Sequence, residues 1–304
     1  MDTLFSRRAV LLAGVGAVVA GCAGPSPTVQ APTTAPAPLS PTTPADDPAL
    51  AELERRFGGR LGVAALDTGS GAAVRHRADE RFLMCSTSKL LAAAAILRLR
   101  TEQPGLLDRE IAYTPDQLVV NSPETQRHTS MTVSELCRAA MTLSDNTAMN
   151  LLLGVLGGPA AVTAFARSIG DPVTRQDRTE PELNRTAPGD ERDTSTPAQM
   201  AENLRGLALG DTLDPEGRDL LVGWLRANTT GATRIKAGLP TDWVVGDKTG
   251  AGAQGEVNDV AVVRPPGRAP LVIAVYTAPA DPGTDAAPTV AEAASIVART
   301  LVPT

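Results

Sequence analysis

Histidine, cysteine, lysine and aromatic residues are all scarce in this chain of 304 residues. Aromatic residues make up 3% of it, so a core must be built mainly from Leu, Val and Ala. The only two histidines, His76 and His128, lie in segments typical of the surface, which disfavours Ser-His-Asp and Cys-His catalysis. The three cysteines are scattered without metal-ligand spacing, so we expect no zinc site and no other metal or cofactor.

Positive charge is also limited, since the formal net charge is −6. Nucleic-acid binding requires a basic face, so we expect no nucleic-acid partner. Of the 28 cationic residues only three are lysines, Lys89, Lys236 and Lys248. A coding bias toward arginine is the simplest explanation of that ratio. Arginine nevertheless stays protonated in proteins, whereas a buried lysine can lose its proton, so the lysines are candidates for proton transfer.

Residues 1–21 have the layout of a signal peptide, with paired arginines (7–8) before a short uncharged apolar run (9–20). The run is shorter than the roughly 20 residues that a membrane-spanning helix needs. The arginine pair resembles a twin-arginine (Tat) signal, and residues 19–22 resemble a bacterial lipobox with lipid on Cys22. An ordinary secretory signal with a chance cysteine is the alternative. We expect export to the cell envelope or the extracellular space, with membrane contact only through the lipid on Cys22.

The rest of the chain divides by composition. Residues 22–46 are rich in Pro and Thr and predict a disordered tether. Beyond them, β-like segments in 47–83 and 228–304 bracket a helical middle, 84–227. Because neighbouring strands tend to pair, we expect an antiparallel sheet built from both ends, a second all-helical lobe and a cleft between the two lobes. Residues 47–304 would together form one catalytic domain.

Periodicity and capping signals predict the individual elements. Helices are predicted over 49–57, 86–100, 133–141, 146–155, 159–169, from 197, over 215–227 and over 286–301. Strands are predicted over 61–66, 72–76, 243–247, 257–263 and 271–276.

A serine and a lysine, Ser86 and Lys89, stand one helical turn apart at the head of an apolar helix. A serine hydroxyl is a weak nucleophile that needs a neighbouring base, which either a neutral Lys89 or a base linked through water would supply. Taken alone, this pair is more typical of a helix cap with an exposed lysine.

Three other polar segments strengthen the catalytic interpretation. Ser144-Asp145-Asn146 lies between two predicted helices, and Lys248-Thr249-Gly250 ends a predicted strand, an unusual place for an unpartnered lysine. The run 178–184 lies in a long Pro-rich and charged loop, 170–195. A loop of that length in a compact domain is usually functional.

Together, Ser86-x-x-Lys89, Ser144-Asp145-Asn146 and Lys248-Thr249-Gly250 form the signature of class A β-lactamases and penicillin-binding proteins. From Asp47 onward the chain resembles a class A serine β-lactamase. The resemblance implies an α/β (α+β) fold, in which a five-stranded antiparallel sheet flanked by helices faces an all-helical lobe across the active site. It also implies a monomer that confers resistance by hydrolysing the β-lactam amide of penicillins and cephalosporins through a serine acyl-enzyme.

The resemblance implies catalytic roles as well. Ser86 would attack the β-lactam carbonyl, and the backbone N–H groups of Ser86 and Ala251 would hold the oxyanion. Lys89 would help to activate Ser86, and either Lys89 or Glu180 acting through a water would be the acylation base. Glu180 and Asn184 would position and activate the water that deacylates Ser86.

For the substrate, Ser144 would pass a proton to the leaving nitrogen, with Lys248 tuning it. Asn146 would hold the side-chain amide, and Thr249 and Arg234 would bind the carboxylate. The implied substrate-binding residues are Asn146, Asn184, Lys248, Thr249, Gly250, Ala251 and Arg234.

The resemblance leads to two further expectations, one for an ion pair and one for the cysteines. Arg178 and Asp193 would close the loop that carries Glu180 with a salt bridge; the alternative is a pair of solvated surface charges. Cys85 and Cys137 are expected to be free, buried thiols.

The sequence departs from the common family pattern at four positions. Asn121 stands where many members have an aromatic residue at the cleft edge, and Ser88 stands where Phe is common. Ala251 lacks a hydroxyl that many members carry. Val257 replaces an arginine of some relatives, which makes Arg234 the candidate carboxylate ligand.

Two competing functions remain open at this point. A D-alanyl-D-alanine carboxypeptidase, a penicillin-binding protein, would share the three motifs but lack a deacylating carboxylate such as Glu180. A non-catalytic β-lactam-binding lipoprotein would not need the complete set of catalytic side chains.

Overall fold

The computed structural model describes residues 47–185 and 187–303. The predicted signal peptide, the tether and Cys22 lie outside the described residues. The helices are α1 (Pro48–Phe57), α2 (Lys89–Leu99), α3 (Val133–Thr142), α4 (Asn146–Leu156), α5 (Pro159–Ser168), α6 (Pro197–Ala208), α7 (Pro215–Arg226) and α8 (Ala287–Leu301). The strands are β1 (Gly59–Asp67), β2 (Ala73–His76), β3 (Phe82–Leu83), β4 (Glu110–Ala112), β5 (Ser130–Thr132), β6 (Thr194–Ser195), β7 (Val244–Ala251), β8 (Val257–Arg264) and β9 (Leu271–Pro279).

The main sheet has five antiparallel strands in the order β2-β1-β9-β8-β7. The first strand of the chain pairs with the last along its whole length, from Gly59 opposite Pro279 to Asp67 opposite Leu271. The predicted fold class and the antiparallel sheet built from both ends are therefore confirmed. The short ladders β3–β6 and β4–β5 were not predicted, because runs of two or three residues carry no periodicity.

Two apolar cores cover the two faces of the sheet. One face packs against α1 and α8, with β-strand residues such as Val63 and Ile273 fully buried. The other face packs against the central helices, among which α2 is buried on every side from Leu90 to Leu97. Leu, Val and Ala supply most of both cores, as the scarcity of aromatic residues predicts. α2 is consequently a rigid, fully enclosed support for whatever precedes it.

Local capping signals place the helices that border the cleft. Thr132 and Glu135 form the predicted capping box at the start of α3. Asp145 accepts the Ala148 N–H and so begins α4 directly after Ser144. The predicted helix over 86–100 instead begins as a 3₁₀ turn, Cys85–Ser88, and becomes α-helical at Lys89.

Two predictions of residue environment were wrong. His76 is only 4% exposed, because α8 packs on the edge strand β2 and Glu54 Oε2 of α1 lies 2.9 Å from the His76 Nε2 atom. Lys248 lies within a strand and not at its end, because the β7–β8 hairpin stays paired as far as Ala251 opposite Val257. His128 is exposed, as predicted.

Within the described part of the chain, no single helix has both the length and the apolarity to cross a membrane. Only α4 and α5 taken together reach those limits, and they are bent by 69° at their junction.

Candidate active site

The side chains of the three sequence motifs meet in one cleft of about 510 Å³. It is lined by Ser86, Val120, Asn121, Leu143, Ser144, Asn146, Pro181, Asn184, Arg185, Thr230, Arg234, Thr249, Gly250, Ala251, Gly252 and Ala253. A larger concavity of about 670 Å³, beside Arg81 and Glu191, contains none of the predicted catalytic residues. We place the chemistry in the smaller cleft, because a site is defined by the groups that converge in it and not by its volume.

Lys89 connects the nucleophile to the loop carboxylate. Its side chain is completely buried, and its Nζ atom lies 2.6 Å from Ser86 Oγ, 2.8 Å from Asn146 Oδ1 and 2.5 Å from Glu180 Oε1. Ser86 Oγ is itself 3.4 Å from Glu180 Oε1. A serine hydroxyl, an amine and a carboxylate thus form one buried hydrogen-bonded group, through which a proton can leave the hydroxyl.

The backbone of Glu180 is held by a residue that the sequence analysis missed. Asn150 Oδ1 accepts the Glu180 N–H at 2.8 Å, and Asn150 Nδ2 donates to the Glu180 carbonyl oxygen at 2.9 Å. Asn184 Nδ2 donates to Glu180 Oε2. Asn150 lies four residues after Asn146 on α4 and therefore on the same helix face, and this spacing is the sequence signal that the analysis left unused.

The loop carrying Glu180 is closed by the predicted ion pair. Arg178 Nε lies 2.5 Å from Asp193 Oδ2, and Asp193 also accepts the N–H groups of Asp177 and Arg178. The Met84 N–H donates to the Asp193 carbonyl oxygen at 2.9 Å. This last bond ties the base of the loop to the segment that carries Ser86, so the loop carboxylate and the nucleophile are positioned by one network.

Ser144, in the cleft lining, is in direct contact with the buried Lys248. Ser144 has a φ of 57°, and its Oγ accepts a hydrogen bond from Lys248 Nζ at 3.1 Å. Lys248 is fully buried, and burial, together with the charges of Lys89 and Arg234, holds its pKa well below the ordinary value. Asp145, between the two functional residues of its motif, accepts hydrogen bonds from the Thr125 N–H and hydroxyl, which anchors the segment that follows Asn121.

A third group of donors lines the far end of the cleft. Arg234 Nη1 donates to the carbonyl oxygens of Gly250 and Asn258, each at 2.6 Å, which fixes its guanidinium beside Thr249. Burial lowers the pKa of Arg234 against the opposing pull of two aspartates. Thr249 Oγ1 lies 2.5 Å from the hydroxyl of Thr230, a residue absent from the predicted site. These donors suit a carboxylate.

Gly250 permits the close approach of β7 to the nucleophile. A Cβ atom at this position would lie 2.8 Å from the Met84 carbonyl oxygen. Any side chain would therefore push Ala251, the next residue of β7, away from Ser86. The predicted pair of oxyanion donors depends on this contact.

The departures from the family pattern have definite environments. Asn121 lies at the cleft with a φ of 61° and donates to the Ser144 carbonyl oxygen at 3.3 Å. Beside it, Val120 is 71% exposed. Ser88 is buried, and its hydroxyl has no hydrogen-bond partner among the described residues. Among the described residues, Cys85 and Cys137 are free, buried thiols, as predicted.

Comparison with known proteins agrees with this geometry. Residues 47–301 match the model of the β-lactamase enzyme family. The chain is 52% identical over 255 residues to β-lactamase OXY-2 of Klebsiella oxytoca, covering 83% of this chain and 88% of that protein. It is 58% identical over 233 residues to β-lactamase AST-1 of Nocardia asteroides, covering 76% and 75% respectively.

Among solved structures, it superposes on a class A β-lactamase from Mycobacterium abscessus. The TM-score is 0.82 at 55% identity, covering 83% of this chain and 98% of that one. The arrangement of Ser86, Lys89, Glu180, Ser144 and Lys248 around one cleft, together with these likenesses, shows that the chain belongs to the class A β-lactamase family and is a β-lactam hydrolase.

Proposed function

We propose that the protein hydrolyses the β-lactam amide of penicillins and cephalosporins through an acyl-enzyme on Ser86. The observation that carries this proposal is the position of Lys89 Nζ, within 2.6 Å of Ser86 Oγ and 2.5 Å of Glu180 Oε1. One buried amine thus serves the nucleophile and a loop carboxylate together. A carboxypeptidase of the related family would have no use for that carboxylate, so Glu180 favours hydrolysis of the drug over trapping by it.

In acylation, Ser86 Oγ attacks the carbonyl carbon and its proton passes to Lys89, or through it to Glu180. The N–H groups of Ser86 and Ala251 stabilise the oxyanion. As the C–N bond breaks, Ser144 gives its proton to the ring nitrogen and is resupplied from Lys248, whose Nζ is 3.1 Å away. The proton taken from Ser86 then replaces the one that Lys248 has given up, so that Glu180 is a carboxylate again before deacylation begins.

In deacylation, Glu180 removes a proton from a water held between it and Asn184, and the resulting hydroxide attacks the ester carbonyl. The C–Oγ bond breaks and Ser86 recovers its proton. The hydrogen bonds that fix Glu180 from Asn150 and Asn184 support this role, because a general base must be held within reach of the proton it accepts.

Substrate binding uses Thr249 and Arg234 of the cleft lining together with the buried Lys248. Lys248, Thr249 and Arg234 lie where they can hold the carboxylate that penicillins and cephalosporins carry beside the ring nitrogen. Asn146 Nδ2 points toward the cleft wall, donating to the Val120 carbonyl oxygen at 2.9 Å, and it is available to the substrate's side-chain amide.

Two measurements test the mechanism. The mature protein should turn over a chromogenic cephalosporin, and the absence of hydrolysis at micromolar enzyme would refute the proposal. Glu180→Gln should accumulate a penicillin adduct on Ser86, seen by intact mass, because acylation can proceed through Lys89 while deacylation has lost its base. Glu182→Gln is the matched control, since Glu182 is exposed in the same loop. Rapid loss of the adduct in Glu180→Gln would exclude Glu180 as the deacylation base.

We also propose that the protein is an exported monomer, anchored by lipid on Cys22. The arginine pair, the short apolar run and the residues before Cys22 support this proposal. Cys22→Ala should release the protein from membranes, whereas Ser26→Ala, four residues further along, should not. Continued membrane retention of Cys22→Ala would contradict the lipid anchor, and a dimer in light scattering would contradict the monomer.

A further inference from the structure

The lining of the cleft carries positive charge at two places and, within the described part of the chain, includes no acidic residue. Its two charged lining residues are Arg234 and Arg185. Arg234 lies at the far end beside Thr249, and its Nη1 atom donates to two backbone carbonyl oxygens. Arg185 is exposed and belongs to the loop that carries Glu180. A cleft lined by charge of one sign attracts ligands of the opposite sign, and this cleft does so at two separate points.

Arg185 differs from the other arginines of its loop in having no acidic partner. The other three arginines of the loop 170–195 each pair with an aspartate of the same loop at N–O distances of 2.5 to 2.8 Å: Arg175 with Asp177, Arg178 with Asp193 and Arg192 with Asp190. The guanidinium of Arg185 has neither an ion pair nor a hydrogen bond to any residue that the structure describes. Its charge is therefore available to a ligand in the cleft.

The backbone of Arg185 is fixed where it borders the cleft. Its carbonyl oxygen accepts a hydrogen bond from Arg178 Nη2 at 2.6 Å, and its N–H donates to the Glu182 carbonyl oxygen at 3.2 Å. The carbonyl oxygen of the preceding Asn184 accepts the Ala253 N–H at 2.9 Å, which ties the loop to the segment that follows β7. Pairing with a ligand would therefore order one side chain and not a whole loop, which limits the entropy cost of recognition.

The proposed reaction determines which part of a β-lactam would reach Arg185. With the ring carbonyl at Ser86 and the ring carboxylate at Arg234, the side-chain amide lies at Asn146. The acylamino group of a penicillin is on the opposite side of the fused rings from the ring carboxylate. The substituent beyond the amide therefore extends away from Arg234, toward the side of the cleft that Asn184 and Arg185 line.

We propose that Arg185 is a specificity-determining residue that pairs with a carboxylate on the acyl side chain. It would thereby favour β-lactams with two carboxylates over those with one. Guanidinium and carboxylate groups form charge-assisted hydrogen bonds, and the planar guanidinium can donate two of them at once. Because the acyl side chain occupies this position only if Ser86 reacts as proposed, the role of Arg185 rests on the proposed function.

Two penicillins that differ by a single group provide the test. α-Carboxybenzylpenicillin is benzylpenicillin with one added carboxylate on the acyl side chain. The carboxylate ratio, defined as kcat/KM for the first divided by kcat/KM for the second, should fall about fivefold in Arg185→Gln, which is the upper limit for an exposed ion pair. The fall should come mainly from KM of the dicarboxylate, because the contact is remote from the reacting bond.

Two other variants separate charge at the cleft from charge in the loop. Arg185→Lys keeps the positive charge and should keep most of the carboxylate ratio. Arg192→Gln is the matched control, since Arg192 is also an exposed loop arginine but pairs with Asp190 and does not line the cleft. It should leave the ratio unchanged. An equal fall in Arg192→Gln, or an equal loss of activity on both penicillins in Arg185→Gln, would overturn the inference.

Ionic strength tests the same pairing in the wild-type protein. Salt screens an exposed ion pair, whereas its effect on the ring carboxylate is common to both penicillins and cancels in the carboxylate ratio. The ratio should therefore fall as salt is added, and a ratio independent of salt would contradict the pairing. Hydrolysis of both penicillins with the same ratio in wild type and Arg185→Gln would overturn this role of Arg185 alone. Hydrolysis of neither by the wild type would overturn the proposed function and the role of Arg185 with it.

Discussion

Asn150 offers the sharpest test of how the fold holds its catalytic carboxylate. Asn150→Ala removes two hydrogen bonds of 2.8 and 2.9 Å to the Glu180 backbone. Each such bond contributes about 1 kcal/mol net, and an amide left unsatisfied in a buried site costs about 1–3 kcal/mol. Alanine is the better helix former by several tenths of a kcal/mol, up to about 0.7. The free energy of unfolding should therefore fall by about 2–5 kcal/mol.

The same substitution should affect turnover more than binding. Glu180 would no longer be fixed relative to Ser86, and a misplacement of about 1 Å can cost on the order of 100-fold in rate. We expect kcat for a penicillin to fall by about that factor, with acyl-enzyme accumulating in rapid-quench mass spectrometry.

Gly154→Ala is the matched control, because it lies on the same helix and its added Cβ meets nothing within 4 Å. It should leave kcat unchanged and stabilise α4 slightly. Unfolding in denaturant, followed alongside kcat, measures both effects. If Asn150→Ala keeps wild-type stability and wild-type deacylation, the inference that α4 positions Glu180 is refuted.

Two further predictions concern charge. Arg178→Ala leaves Asp193, which is 1% exposed, without its ion-pair partner. It should cost about 3 kcal/mol of stability and slow deacylation, and Arg175→Ala, whose guanidinium pairs with the more exposed Asp177, should cost under about 1 kcal/mol. Equal losses in the two variants, measured by denaturant unfolding, would contradict the closing role of the buried pair. Burial raises the pKa of Asp259 in the folded protein, so at pH values above the ordinary pKa of 3.8 the chain binds a proton when it folds. The resulting stability is complete below that value and is lost as the pH rises toward the folded-state pKa. Relative to Asp259→Asn, the wild type should lose about 1.4 kcal/mol per pH unit across that window, and a pH-independent difference would disprove the linkage.

Local sequence signals were sufficient for most of the fold. The capping box at Thr132, the cap at Asp145 and the prolines at helix starts each act within one turn, so the helices they begin were predicted within a few residues. Strand positions were also recovered, because β1, β8 and β9 are long apolar runs. The prediction ended this strand at Asp247, whereas β7 continues to Ala251 and contains Lys248. It was missed because a lysine interrupts the apolar pattern by which a buried strand is recognised.

The sequence by itself determined which chemistry was present. The three motifs and Glu180 name a nucleophile, an amine, a carboxylate and a set of donors, and their order along the chain identified the family. Their types and spacings are properties of the chain alone. How each group acts in its surroundings could not be read from the chain alone.

Only the tertiary structure decided how those groups act on one another. Glu180 reaches Ser86 across 94 positions of sequence, and Lys248 reaches Ser144 across 104. Burial turned His76 from an expected surface residue into a partner of Glu54, and it holds the pKa of Asp259 well above its ordinary value. The reason is physical: the energies of charges and hydrogen bonds depend on distance and on exclusion of water, and both are set when distant segments pack together.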